Sequence, residues 1–273
     1  MKVAQALQFY GELDSYERRE CAWLLEHILK INHLSLKYKD EQVLSPEQQQ
    51  QFLMGIERLK QGEPLAYVIG EQAFWTLTLK VTPATLIPRP DTEVLVEQAL
   101  ALIDPEQNLH ILDLGTGSGA IALSIAKECP QLQMTATDFS ATALEVAQQN
   151  AVLNQIDNVQ FLQGSWYQAL ADNSQFDLIV SNPPYIDEQD THLNDLSHEP
   201  ITALTAKEQG LSDLKIIIGQ APQYLKYGGF LLVEHGYDQA RAVQQLFVQA
   251  GFEQVKTVRD YGGNGRVTMG QWS

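Results

Sequence analysis

From Asp91 onward, short β-branched runs alternate with stretches of helical period, and that alternation constrains the fold more than any other feature of the chain. Thr92 is placed to cap a helix running through Leu102. His110-Ile111-Leu112 reads as a buried strand and Ala120–Lys127 as the helix after it. The pattern continues with a strand at Met134–Thr137, a helix at Ala141–Leu153, and strands at Val159–Leu162 and Phe176–Val180. A helix over Leu211–Leu225, a strand over Gly229–Val233 and a helix over Gln239–Ala250 come next. Glu253–Arg259 with Arg266–Trp272 would then close the sheet as an antiparallel hairpin. Strands separated by helices pair in parallel, with helices on both faces and ligands at the carboxyl ends of the strands. The expectation is an α/β, doubly wound, mostly parallel sheet.

The chain before Asp91 has a different character. After Ser15, the residues Arg18, Cys21, Ala22, Leu24, Leu25, Ile28 and Leu29 keep helical spacing. Ser45-Pro46 with Gln48 reads as an N-cap, a first-turn proline and a capping-box partner. The helix it opens carries Phe52, Leu53, Ile56 and Leu59 on one face, and Gly62-Glu63-Pro64 stops it. Phe74 to Val81 has the β-branched and aromatic content of a strand, and Pro83, Pro88 and Pro90 break up the segment after it. The expected organisation is a small all-α domain over residues 1–70, a β-hairpin linker over 71–90 and the α/β domain over 91–273.

Charge narrows the partners. The 273 residues carry 18 basic and 34 acidic side chains, a net of −16. Residues 1–90 hold 10 basic and 11 acidic groups (net −1), and residues 91–273 hold 8 and 23 (net −15). A domain this acidic repels a polyanion, so direct binding to nucleic acid is not expected. Cys21 and Cys129 stand far apart without ligand spacing, which fits buried small apolar thiols rather than a disulfide framework or a metal site. The N-terminus lacks the apolar run of a secretory signal, and no apolar run approaches the roughly 20 residues needed to cross a bilayer. A cytoplasmic protein with no membrane contact is expected.

The strand at Asp113 runs into Leu114-Gly115-Thr116-Gly117-Ser118-Gly119 and then a helix. Glycines there let the backbone turn tightly and let a ligand lie against it. Asp138 stands 19 residues past Gly119, at the end of the next strand, where a carboxylate accepts hydrogen bonds from ribose hydroxyls. Loop and carboxylate together indicate a nucleoside-containing cofactor. Gly115-x-Gly117-x-x-Ala120 also satisfies the relaxed nicotinamide-cofactor fingerprint, so the loop by itself is ambiguous. Asp113 suits a cofactor with an ammonium group, which S-adenosylmethionine has and NAD lacks.

The strand from Phe176 ends in Asn182-Pro183-Pro184-Tyr185, a loop that would face the same crevice. The nitrogen of a planar amide or exocyclic amine is a poor nucleophile because its lone pair is delocalised. Two acceptors on its N–H bonds orient it and concentrate electron density on it. The side-chain oxygen of Asn182 supplies one acceptor and the Pro183 carbonyl the other, since the prolines fix φ. Tyr185 offers a ring face for a planar group. Such positioning is worth roughly 7–11 kcal/mol in favourable cases.

Together with Ile87-Pro88-Arg89-Pro90-Asp91-Thr92-Glu93 and Gly62-Glu63-Pro64-Leu65-Ala66-Tyr67, these motifs resemble the protein-(glutamine-N5) methyltransferases that modify class 1 peptide chain release factors. The resemblance covers nearly the whole chain. It implies a class I methyltransferase (Rossmann-like) fold with a seven-stranded sheet, and S-adenosylmethionine as cofactor. The substrate it implies is the glutamine of the Gly-Gly-Gln tip of a release factor. By position, Asp113, Gly115, Thr116, Gly117, Ser118, Gly119 and Asp138 would bind the cofactor, with Asn182 beside it and Trp166 near the adenine. Asn182, Pro183, Pro184 and Tyr185 would hold the glutamine amide. Ser165 stands where that family often has an acidic residue, and Leu204-Thr205-Ala206-Lys207-Glu208 lacks its paired glycines. No metal is implied, and the enzyme would act as a monomer.

Simpler roles attach to other residues. His235 reads as structural, Phe74 and Trp75 as packed hairpin residues, and Arg89 as pairing with a carboxylate across the domain boundary. Glu199 is a candidate for the substrate mouth. Glutamine methylation of a ribosomal protein shares every motif, and exocyclic-amine methylation of DNA or RNA shares the Asn-Pro-Pro-Tyr type of loop. A nicotinamide oxidoreductase would leave that loop unexplained, and an intact site argues against a non-catalytic adaptor.

Overall fold

The computed structural model describes residues 1–104 and 106–273. The chain divides into two compact units, Met1–Glu71 and Gln72–Ser273. The first holds α1 (Val3–Leu7), α2 (Tyr16–Leu29), α3 (His33–Leu36), α4 (Pro46–Lys60) and α5 (Leu65–Ile69). Ser15 Oγ accepts from Arg18 N to start α2, and Ser45 forms the full capping box with Gln48 ahead of α4. The apolar faces so aligned bury Cys21, Leu24, Leu25, Phe52, Ile56 and Leu59 in one core. Both cysteines are free and buried.

A hairpin comes next, β1 (Glu71–Phe74) and β2 (Leu77–Lys80). The run from Phe74 to Val81 is therefore not one strand. It is broken at Trp75, which takes φ +54° in a two-residue turn. The Trp75 amide donates to Glu93 Oε1 at 2.9 Å, and its indole donates to Glu128 Oε1 at 2.9 Å. Phe74, Leu77 and Leu79 enter the core of the second unit beside Val94, Leu95 and Ile121. The hairpin is thus integral to that unit's packing.

The second unit continues with α6 (Glu93–Leu102), β3 (His110–Leu114), α7 (Ala120–Glu128), β4 (Gln133–Asp138), α8 (Ala141–Leu153), β5 (Val159–Gln163) and β6 (Phe176–Ser181). After these come β7 (Ile186–Asp187), β8 (Thr205–Ala206), the single turn α9 (Lys207–Gly210), α10 (Ser212–Gln220), β9 (Leu225–Glu234), α11 (Ala240–Gln249), β10 (Glu253–Arg259) and β11 (Gly265–Gln271). Seven strands form one sheet in the order β10-β11-β9-β6-β3-β4-β5. β9, β6, β3, β4 and β5 pair in parallel, and β11 closes the sheet antiparallel to both β9 and β10. Separate apolar clusters cover its two faces, one built on α6 and α7 and the other on α10 and α11.

Two expectations are corrected. The helix expected through Leu225 ends at Gln220 and tightens into a 3₁₀ turn over Ala221–Gln223, because Pro222 has no N–H to continue it, and β9 starts at Leu225. Thr92 does not cap α6 with its side chain. Its hydroxyl instead accepts from Asn182 Nδ2.

Candidate active site

The chain leaves β3 toward β4 on one side and later returns to β6 on the other, so the order reverses between β3 and β6. Crevices for ligands open at the carboxyl ends of such strands. The register pairs Leu114 with Ser181, and Ser181 Oγ donates to Leu114 O at 2.7 Å. Gly115 and Asn182 therefore emerge side by side. A cavity of about 420 Å³ opens there, lined by Gly115, Thr116, Gly117, Ser118, Asp138, Trp166, Asn182 and Pro184 among others.

The glycine loop is held from below. Gly115 N and Thr116 N both donate to Thr137 O at 2.9 Å. Gly117 takes φ +56°, and a Cβ built on it would meet nothing within 4 Å, so its backbone is open to whatever fills the cavity. Asn150, fully buried on α8, donates to Ser118 O at 2.9 Å and exchanges hydrogen bonds with both backbone groups of Lys80. That one side chain ties the hairpin to the loop.

Asp138 sits at the end of β4. Its Oδ2 accepts from Gly117 N and its Oδ1 from Ser140 N, each at 2.8 Å. Each oxygen keeps a lone pair for a ligand hydroxyl. Burial raises its pKa, and the two amide donors oppose the rise. Trp166, at φ +49°, lays its ring against Gly115, with Asp213 beside it on the cavity wall. Phe139, next to Asp138, is 76% exposed at the rim.

Asp113 is placed differently from the expected ammonium contact. It is 0% exposed and is not among the lining residues. Its Oδ2 accepts from Thr116 Oγ1 at 2.7 Å, its Oδ1 has no partner, and burial raises its pKa to about 7. It acts on the loop through Thr116.

The Asn-Pro-Pro-Tyr loop splits into two sides. Asn182 and Pro184 line the cavity, while Pro183 is buried and Tyr185 faces away from it. The Tyr185 hydroxyl donates to Glu234 Oε1 at 3.1 Å, and its backbone carbonyl accepts from Gln239 Nε2 at 3.0 Å. Burial, then the neighbouring Glu234 carboxyl, raises the Tyr185 pKa. Asn182 Nδ2 donates to Thr92 Oγ1 at 3.1 Å. Beyond the loop β7 pairs with β8, so the segment Thr205–Ala206 braces the loop's exit.

Arg89 lines the cavity and pairs with Glu199, whose other oxygen accepts from Ile87 N at 3.0 Å. The expected pairing of the linker arginine with a carboxylate of residues 91–273 is thus present, and both residues belong to the second compact unit. His235 is structural: it is 0% exposed, with Nδ1 on Gly236 O and Nε2 on Thr268 Oγ1, and burial lowers its pKa. Thr92, Asn150, Glu234 and Gln239 are the contributors that sequence reasoning missed. Only Glu234 left a signal, as an acid ending the apolar run Leu231-Leu232-Val233. Among the described residues no cluster of His, Cys, Asp or Glu is arranged to hold a metal ion, and no helix is long and apolar enough to cross a membrane.

Residues 91–263 match the family described as Methyltransferase small domain, and residues 3–70 match PrmC N-terminal domain. The chain is 50% identical over 257 residues to a release factor glutamine methyltransferase of Escherichia coli (strain K12), spanning 93% of this chain and 92% of that one. It is 44% identical over 276 residues to a release factor glutamine methyltransferase of Shewanella oneidensis, spanning 99% and 96%. Among solved structures, T. thermophilus 16S rRNA N2 G1207 methyltransferase in complex with AdoMet and guanosine shares the fold, at a TM-score of 0.56 and 18% identity, covering 74% of this chain and 50% of that one.

Proposed function

This chain belongs to the release factor glutamine methyltransferase family, and from that premise we propose that it methylates the side-chain nitrogen (N5) of the Gly-Gly-Gln glutamine in class 1 peptide chain release factors, with S-adenosylmethionine as donor. The observation that carries the reading is the emergence of the glycine loop and the Asn-Pro-Pro-Tyr loop side by side into one cavity that also holds Asp138.

The cradle fits the cofactor. Gly117 leaves open backbone where a side chain would stand, the Asp138 carboxylate has lone pairs free for ribose hydroxyls, and the volume is that of a small-molecule site. Gly115 to Gly119, Asp138 and Trp166 would hold it, and Asp113 would set the loop through Thr116. When bound, S-adenosylmethionine supplies a methyl carbon made electrophilic by a positively charged sulfur.

The chain's own part is to orient a nitrogen. Asn182 Oδ1 and the Pro183 carbonyl accept the two N–H bonds of the glutamine amide, and Pro184 bounds the space it enters. Acceptors on both N–H bonds push electron density toward nitrogen and fix its direction. No general base has to act first, because the amide becomes acidic only as the new bond forms. Tyr185, turned onto Glu234, anchors the loop rather than stacking on substrate. The near-neutral helical unit, residues 1–70, would grip the protein substrate, and the enzyme would act as a monomer in the cytoplasm. The −15 of residues 91–273 weighs against a nucleic acid in its place.

Mass spectrometry of a release factor incubated with enzyme and S-adenosylmethionine should place one added methyl on the Gly-Gly-Gln peptide. An unmodified peptide, with methyl carried instead by a ribosomal protein or nucleic acid, overturns the reading.

A further inference from the structure

The two ends of the Asn182 carboxamide are nearly the same shape, yet only one serves the reaction. Its oxygen can accept an N–H bond from an amide nitrogen, whereas its NH2 would point donors at donors. The choice falls to what holds the other end. Asn182 Nδ2 donates to Thr92 Oγ1 at 3.1 Å, and Thr92, on the cavity wall, is only 4% exposed. A hydroxyl both donates and accepts, so Thr92 discriminates only if its single proton is committed elsewhere.

The neighbouring group able to take that proton is Glu234, at the end of β9. It is 1% exposed, and its Oε1 accepts from the Tyr185 hydroxyl at 3.1 Å. Its Oε2 is buried with no hydrogen-bond partner; burial pushes the carboxyl pKa up to about 7, and the neighbouring Thr92 and Tyr185 hydroxyls oppose that rise. Arg266 stands nearby, paired with Asp260 at 3.0 Å and with Asp91 at 3.4 Å. A buried carboxylate oxygen lacking a donor beside a hydroxyl with a free proton draws that proton. Thr92 is then left to accept only.

We infer that Glu234 and Thr92 are positioning residues, committing the Thr92 proton to Glu234 so that Thr92 takes the NH2 end of Asn182 and turns Oδ1 toward the substrate amide. The inference rests on the glutamine-methylating reading of the cavity. Glu234 also holds Tyr185, so one buried acid anchors both ends of the Asn-Pro-Pro-Tyr loop.

The test compares Thr92→Val, Thr92→Ser and Glu234→Gln with the unaltered full chain. Methyl transfer to a release factor is followed by mass spectrometry, cofactor affinity by calorimetry and folding by circular dichroism. Thr92→Val should lower kcat roughly 10- to 100-fold, the kinetic equivalent of one misdirected hydrogen bond. KM for the release factor and cofactor affinity should move by less than about threefold, and Thr92→Ser should restore kcat to within about threefold. Glu234→Gln should also lower kcat, since its amide can itself donate to Thr92 and release the proton toward Asn182. It decides the matter if Thr92→Val fails to fold. Retention of kcat in Thr92→Val within about twofold overturns the inference, as does a Thr92→Ser variant equally impaired or a loss confined to cofactor affinity. If the unaltered enzyme puts no methyl on the glutamine, the functional reading itself falls and takes this inference with it.

Discussion

Asp113 stands on β3 and Asn182 just past the end of the neighbouring β6, and each has a chemistry that its surroundings decide. Asp113 is enclosed beneath the glycine loop with one oxygen unpaired, and its pKa is raised from 3.8 to about 7. The folded state therefore keeps a proton that the unfolded chain has released. Below about pH 4 both states are protonated and the group is neutral in effect; as pH rises toward 7 the folded state loses stability relative to the unfolded one. A tenfold difference in proton affinity between the two states is worth about 1.4 kcal/mol, so the window can hold a few kcal/mol. Asp113→Asn keeps an acceptor for Thr116 and removes the charge. Urea unfolding without cofactor should show the variant gaining on the parent between about pH 4 and pH 8, and a constant difference across that range would rule out a buried titrating carboxyl. Asn182 is tested by turnover. Replacing it with Ala removes one acceptor at the reacting nitrogen, so kcat should fall roughly 100-fold or more while cofactor affinity changes only a few-fold. Calorimetry showing binding abolished, with turnover at saturation unchanged, would assign Asn182 to the cofactor instead.

At the scale of elements, the Asn-Pro-Pro-Tyr loop is fixed less by its own prolines than by what packs behind it. Gly210, at the end of α9, takes φ +79°, and a Cβ there would lie 1.9 Å from Tyr185 O and 2.7 Å from Gln239 Nε2. Gly210→Ala must push the loop aside or unseat α9, and strain of this kind costs roughly 1–3 kcal/mol. A thermal melt should show a midpoint several degrees lower, and kcat should fall with it because Tyr185 carries Asn182 and Pro184 along. A variant that melts and turns over like the parent would show the loop to be held elsewhere. The strands, most helices and the two motif loops are legible in the sequence because their signals are local: period, caps, glycines at forced turns. The braces are not. Thr92, Glu234, Gln239 and Asn150 act across separations of tens of residues, and nothing in their immediate sequence says whom they meet. Trp75 misleads for the opposite reason, since an aromatic residue reads as strand yet here turns the hairpin at positive φ. The apolar run past Gln220 likewise suggests a longer helix, although Pro222 stands in it and stops it.

For the whole molecule, the unequal division of charge bears on how a large protein substrate is captured. Residues 72–273 carry 10 basic and 23 acidic groups (−13) and residues 1–71 carry 8 and 11 (−3), so the catalytic unit cannot draw in an acidic partner by its field, whereas the helical unit repels one only weakly. The helical unit also has a core of its own, with Val3, Leu25, Phe52 and Ile56 all at 0% exposure, which makes it a rigid surface rather than a tail that must order on binding. Around that core it exposes Leu13, Tyr38 and Met54, side chains suited to a moderately apolar contact. If this surface supplies affinity and the cavity supplies chemistry, removing residues 1–70 should separate the two. KM for the intact release factor should then rise roughly tenfold or more, a loss of about 1.4 kcal/mol or greater. KM for a short Gly-Gly-Gln peptide, which reaches only the cavity, should stay within about threefold, and cofactor affinity by calorimetry should confirm that the shortened chain keeps its site. Equal increases for protein and peptide would mean that the helices support the catalytic unit's stability and take no part in gripping the substrate.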